Sequence, residues 1–73
     1  LITSQLRTAL IFNKKIKATN YQIDTYKKKI FIYGISLTAG ERKEAINEAR
    51  EILDVKDVVA SIILVEDLRI QKN

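Results

Sequence analysis

Along this chain the spacing of the apolar residues changes from helical to alternating, back to helical, and finally to an unbroken run. That succession constrains the fold more than any other feature. Ile2, Leu6, Ala9 and Leu10 recur at helical spacing and, at about 100° per residue, fall in one stripe that should face a core. Leu1, Ser4, Thr8, Ile11 and Phe12 project to another side, and Arg7 and Lys14 lie beyond one edge of the stripe with Lys15 within it. Asn13 and the lysines after it suit the C-terminal end, where cations complement the helix dipole. From Tyr21 the period becomes two. Tyr21, Ile23 and Thr25 alternate with Gln22, Asp24 and Tyr26, the pattern of a half-buried strand. Lys27 and Lys28 interrupt it, and the β-branched and aromatic run Ile30 to Ile35 resumes it, so the two runs form a hairpin. Gly34, inside the second run, points to a bulge or a close backbone approach.

A helical period returns after Thr38-Ala39-Gly40-Glu41, which has capping-box spacing. Thr38 should accept from the third-residue amide and Glu41 should reach back to the Thr38 amide. Ala45, Ile46, Ala49, Ile52 and Leu53 form the apolar stripe, and its two alanines allow close packing on a sheet; Lys43, Glu44, Asn47, Glu48 and Glu51 form the solvated side. Asp54 is expected as a left-handed cap. Val58 to Val65 is a continuous apolar run, expected to be a strand buried on both faces, and a polar tail follows at 67–73.

Composition narrows the function. In 73 residues there is no His and no Cys, hence no imidazole base, no thiolate, no disulfide and no zinc or haem site of the usual ligand types. No cofactor is implied. Glu44, Glu48 and Glu51 lie along one helix but on its solvated side, and Ser4, Ser36 and Ser61 have no base near them in sequence, so the chain is expected not to be an enzyme. A chain this short hides only about 60% of its unfolded surface, which means one domain. No stretch approaches the roughly 20 apolar residues of a bilayer span. With its first residue Leu1 and no signal pattern, the chain is expected to be an excised domain or a processed product.

The net charge is +4, unevenly divided. Residues 1–33 carry seven bases and one acid, and residues 34–73 carry six bases and eight acids. The basic half attracts phosphate, on lipid or on nucleic acid. Nucleic acid is disfavoured. A Gly-x-x-Gly loop is missing, and Ile30-Phe31-Ile32-Tyr33-Gly34 only faintly echoes the aromatic strand of an RNA-recognition motif.

Ile2, Leu6 and Ala9-Leu10, Ile23 before a turn, Ile30-x-Ile32-x-Gly34, Ala45 and Ala49, and Val55-x-x-Val58 together resemble the BON domain of bacterial osmotically induced and nodulation proteins. The resemblance covers residues 1–66, and Ile2 to Arg7 with Asn20-Tyr21 looks most like the second repeat of a two-BON envelope lipoprotein. The family pattern has glycine where Lys28 and Asp54 stand here. The resemblance implies an α+β fold with two helices on one face of a three-stranded mixed sheet, in the order helix-strand-strand-helix-strand. It further implies a periplasmic or outer-membrane setting, a role in envelope integrity under osmotic stress, and phospholipid as ligand.

Two candidate surfaces follow. In the first, Leu1, Ile11 and Phe12 dip among acyl chains of an anionic phospholipid surface while Arg7, Lys14, Lys15 and Lys17 meet head groups, each cation adding about 1 kcal/mol. Lys27, Lys28 and Lys29 make a basic hairpin tip. Phe12 has a second placement open to it, turned inward to close the core. In the second, Phe31, Tyr33, Ile35, Val59, Ile63 and Val65 form an apolar sheet face. A sister BON repeat, a homodimer partner or another envelope protein should cover it.

Overall fold

The central strand of the sheet is β2 (Lys29–Ser36), in which Ile30, Ile32 and Ile35 stand with the aromatic Phe31 and Tyr33. β1 (Tyr21–Tyr26) pairs with it antiparallel, Ile23 opposite Ile32, and β3 (Asp57–Leu64) pairs with it parallel on the other side, Ile30 opposite Val58. Two helices, α1 (Ile2–Phe12) and α2 (Ala39–Arg50), cover one face, and a 3₁₀ turn at Ala18–Asn20 leads into β1. This computed structural model describes residues 1–66; the expected tail at 67–73 lies outside the described residues. The architecture is the expected one: α+β, mixed sheet, order α1-β1-β2-α2-β3.

The core lies between sheet and helices. Leu6 and Leu10 of α1, Ile23 of β1, Ile30 and Ile32 of β2, and Ala45 and Ala49 of α2 are buried together, with Ile2, Ile52, Val55, Val58 and Ile62 packed against them. Ile16 and Tyr21 join this cluster, Ile16 from the loop after α1 and Tyr21 from the first position of β1. Leu64, the last residue of β3, is also buried.

The hairpin turns through two residues, Lys27 (φ 50) and Lys28 (φ 66), both left-handed as a type I′ turn requires. Two L-residues there cost roughly 1–2 kcal/mol each, the penalty a glycine avoids. Asp54 has the expected left-handed φ, 69, but it does not cap α2, which ends at Arg50 with Glu51 as its C-cap in right-handed conformation. Gly34 serves a close backbone approach: a Cβ there would collide with the Asn20 carbonyl oxygen and come within 2.9 Å of Tyr21 Cδ1.

Four expectations need correction. β3 is an edge strand, not one buried on both faces: Val59, Ser61 and Ile63 are exposed, and Val65 lies past its end. An unbroken apolar run cannot tell a central strand from an edge strand whose second face is open. Leu53 is 84% exposed because α2 stops at Arg50, before the stripe reaches it. Lys14 and Lys15 fall outside α1, whose last turn holds no base, so Lys15 is not in its stripe. Thr38 Oγ1 does accept from the Glu41 amide at 3.1 Å, but Glu41 turns to the Leu37 amide at 3.1 Å instead of the Thr38 amide.

Candidate functional site

α1 has apolar residues left over once its core stripe is used. Leu6 and Leu10 point into the core, while Ile11 is 63% and Phe12 79% exposed. The inward placement of Phe12 is therefore overturned: two positions on from buried Leu10, at about 100° per residue, it points away from the core. Arg7, one turn before Ile11, is exposed as well.

Asn13 fixes the end of the helix. Its amide donates to Ala9 O at 3.1 Å, its side-chain Nδ2 donates to Glu44 Oε1 at 3.1 Å and Glu48 Oε2 at 2.7 Å, and its Oδ1 accepts from the Lys15 amide at 2.9 Å. Asn13 thus clips α1 to α2, and Glu44 and Glu48, expected on a solvated side, are half-buried partners in the clip. The clip also divides the basic cluster. Lys15 Nζ sits 3.9 Å from Glu44 Oε2, and the Lys17 charge bears on Glu41, so both face a carboxylate. Arg7 and Lys14 have no ion-pair partner among the described residues.

At the other end of α1, about 16 Å away at 1.5 Å per residue, Leu1 is 96% exposed. It does not join Ile11 and Phe12. Instead Leu1, Ile2 and Thr3 form a groove of about 350 Å³ with Thr25, Tyr26, Lys27 and Lys28 of the hairpin, and the Thr3 and Thr25 hydroxyls hydrogen-bond across its floor. Lys27 Nζ stands 5.4 Å from the centre of the exposed Tyr26 ring. The structure thus makes two apolar and basic clusters: Ile11, Phe12, Arg7 and Lys14 at one end, and Leu1, Tyr26, Lys27 and Lys28 at the other. Alternation puts Tyr26 on the polar side of β1 with Gln22 and Asp24, and so gives no sign that it belongs to an apolar and basic cluster. Lys29 belongs to β2 and pairs with Tyr26.

On the opposite side of the sheet, Phe31 is half-buried and Tyr33, Ile35, Val59 and Ile63 are exposed, with Phe31 beside Val59 and Ile35 beside Ile63 in the register. Val65 is not part of this face as a strand residue.

A buried carboxylate with three hydrogen-bond donors around it belongs to neither surface. Glu41 is 7% exposed; its Oε2 accepts from the Lys17 amide at 3.0 Å and the Tyr21 hydroxyl at 2.9 Å, and its Oε1 from the Leu37 amide. The buried Ser36 hydroxyl hydrogen-bonds Tyr21 in turn. Burial pushes the Glu41 carboxyl up, but the Lys17, Leu37 and Tyr21 hydrogen bonds and the Lys17 charge outweigh it and hold the group below the ordinary glutamate value. The Tyr21 hydroxyl is pushed up to about 12, first by burial and then by Glu41, against the Ser36 hydrogen bond. Every buried side-chain polar atom among the described residues has a partner, so this cluster is a structural network joining α2, β1 and the loop after α1.

Among protein families, the BON domain matches residues 1–66. The chain belongs to the BON domain family. BON domains are typically non-catalytic modules of envelope-associated proteins that bind membranes or other proteins. Curated proteins give no match. Among solved structures, the chain is similar to CdsD, described as a structural protein of the Type III secretion system of Chlamydia trachomatis. The TM-score is 0.63 and the identity 17%, covering 97% of this chain and 38% of CdsD. At that identity the likeness speaks for the fold alone, and this BON domain spans well under half of CdsD.

Proposed function

We propose that this BON domain binds anionic phospholipid through the two ends of α1 and so holds its parent protein at the periplasmic side of the bacterial outer membrane. The observation that carries this reading is Phe12 standing 79% exposed beside Ile11, with Arg7 and Lys14 free of acidic partners among the described residues. Apolar side chains rimmed by cations suit the boundary between acyl chains and head groups. Leu1, Tyr26, Lys27 and Lys28 supply a second contact of the same character. Lys15 and Lys17, turned toward carboxylates, contribute less than Arg7 and Lys14. With about 1 kcal/mol per cation near an anionic surface, attachment is weak, salt-sensitive and dependent on apolar insertion or on a sister repeat for avidity.

Co-sedimentation with phosphatidylglycerol vesicles, against phosphatidylcholine vesicles, tests this. R7E/K14E should lower binding about tenfold or more at low salt, and Phe12→Ser should lower it at every salt concentration. Unchanged binding of both variants would sink the proposal. A protein-interaction role is the second reading, favoured by the four exposed apolar residues of the open sheet face and in keeping with the description of CdsD as a structural protein.

A further inference from the structure

The outer edge of β3 is unlike the other edge of the sheet. β1 exposes Gln22 and Asp24, and its turn carries Lys27 and Lys28, the sort of charge that discourages pairing with another chain. From Val58 to Leu64, β3 has no charge, no proline and no glycine; Val59, Ala60, Ser61 and Ile63 are exposed, and nothing among the described residues pairs with its outer side. An open strand edge with seven such residues in succession is a template for a further strand.

The charges that flank the strand indicate which strand. Lys56 precedes β3 and Glu66 follows it; both are exposed, and neither has an ion-pair partner among the described residues. A two-fold axis through Ser61 would set β3 antiparallel to β3 of a second copy, Val58 against Leu64, Val59 against Ile63 and Ala60 against Ile62. The same operation brings Lys56 of each copy to the end that holds Glu66 of the other, twice by symmetry. Residues of like parity then oppose one another. Backbone groups alternate sides along a strand, so this register matches the outward amides and carbonyls, and it also continues the apolar face: Val59 meets Ile63, next to Phe31 and Ile35. The small, exposed Ala60 leaves room on the helix side for Ile62 of the second copy.

We infer that the partner of the β3 edge is a second copy of this chain, paired antiparallel about Ser61 into a continuous six-stranded sheet and locked in register by Lys56 and Glu66. This edge lies across the sheet from β1, the strand that α1 packs against, so the lipid proposal stands or falls separately.

Analytical ultracentrifugation of the 73-residue chain without lipid reads the outcome. The wild type should sediment as a dimer at high micromolar concentration. Lys56→Glu and Glu66→Lys should each weaken the dimer about tenfold, since each sets like charges together at two symmetric places. The combined K56E/E66K should restore it. V59K/I63K, placed on the open face, should give a folded monomer by circular dichroism. A strict monomer for the wild type up to about 1 mM, where crystal-strength contacts would already be seen, overturns the proposal. So does a dimer that the single charge reversals leave intact or that the combined variant fails to restore. If V59K/I63K proves unfolded, the charge-swap series decides by itself.

Discussion

α1 and α2 cover the same face of one sheet by opposite means. α1 anchors with two large side chains, Leu6 and Leu10, both fully buried or nearly so, and keeps Ile11 and Phe12 outside. α2 anchors with Ala45 and Ala49, both without exposure, and inserts a carboxylate, Glu41, where α1 inserts only hydrocarbon. A helix seated on leucines stands away from the sheet and can spare apolar residues for another surface. A helix seated on alanines lies close and has its first turn committed to hydrogen bonds. The difference teaches that α1 is the helix with material for function, whereas α2 is built as a strut.

The contrast makes the two helices vulnerable to opposite changes. Leu6→Ala should cost the most, about 2–5 kcal/mol, because it opens a cavity beneath α1; thermal or urea unfolding measures it. If the loss were under about 1 kcal/mol, α1 would not be held by its leucines and the comparison would fail. Glu41→Gln should come next, about 1.5–3 kcal/mol at neutral pH, since the new amide must point a donor at one of the three donors that Glu41 now accepts.

The pH dependence sharpens this second effect. Glu41 is held below its unfolded value near 4.5, so its stabilisation is fully present above that value and is lost as pH falls through the folded one. Urea midpoints measured from pH 7 downward should fall more steeply for the wild type than for Glu41→Gln. For Tyr21 the sign is reversed. Its value is raised from 10.0 to about 12, so its contribution is complete below the lower figure and disappears as pH rises through the higher. Ala49→Leu should cost least of the three, about 1–3 kcal/mol, by forcing α2 off the sheet. A neutral outcome would mean that α2 is not closely seated.

The order of elements and nearly all the core were legible in the sequence because they rest on period and side-chain size. Leu6, Leu10, Ile30, Ile32, Ala45 and Ala49 stand at the spacings that their elements demand. What escaped depends on contacts between elements distant in sequence. Ile16 sits in a loop with no period to mark it. Tyr21 shares the parity of Ile23 in the alternation, but the hydrogen bond of its hydroxyl to Glu41 comes only when α2 docks. The same holds for the candidate surface. Exposed Ile11 and cationic Arg7 could be read from one helix, whereas the separation of Leu1 from Phe12, and the neighbourhood of Leu1, Tyr26 and Lys28, needed the hairpin to be set beside the start of α1. Lys15 and Lys17 looked equivalent to Lys14 because nothing in sequence spacing shows that Glu44 and Glu41 lie across from them.

The parallel pairing of β2 with β3 has a consequence for how the domain is made. β1 and β2 meet across a two-residue turn and can close within microseconds, but Lys29 finds its partner only at Asp57, with the whole of α2 in between. Loop closure of that length is repaid only when α2 is already in place, so β3 should be the last strand to join. On a ribosome, or in a translocation channel that delivers the N-terminus first, α1 and the hairpin emerge early and wait for β3 with Ile30 and Ile32 incompletely covered. During that interval the nascent domain offers its future core to any chaperone at hand.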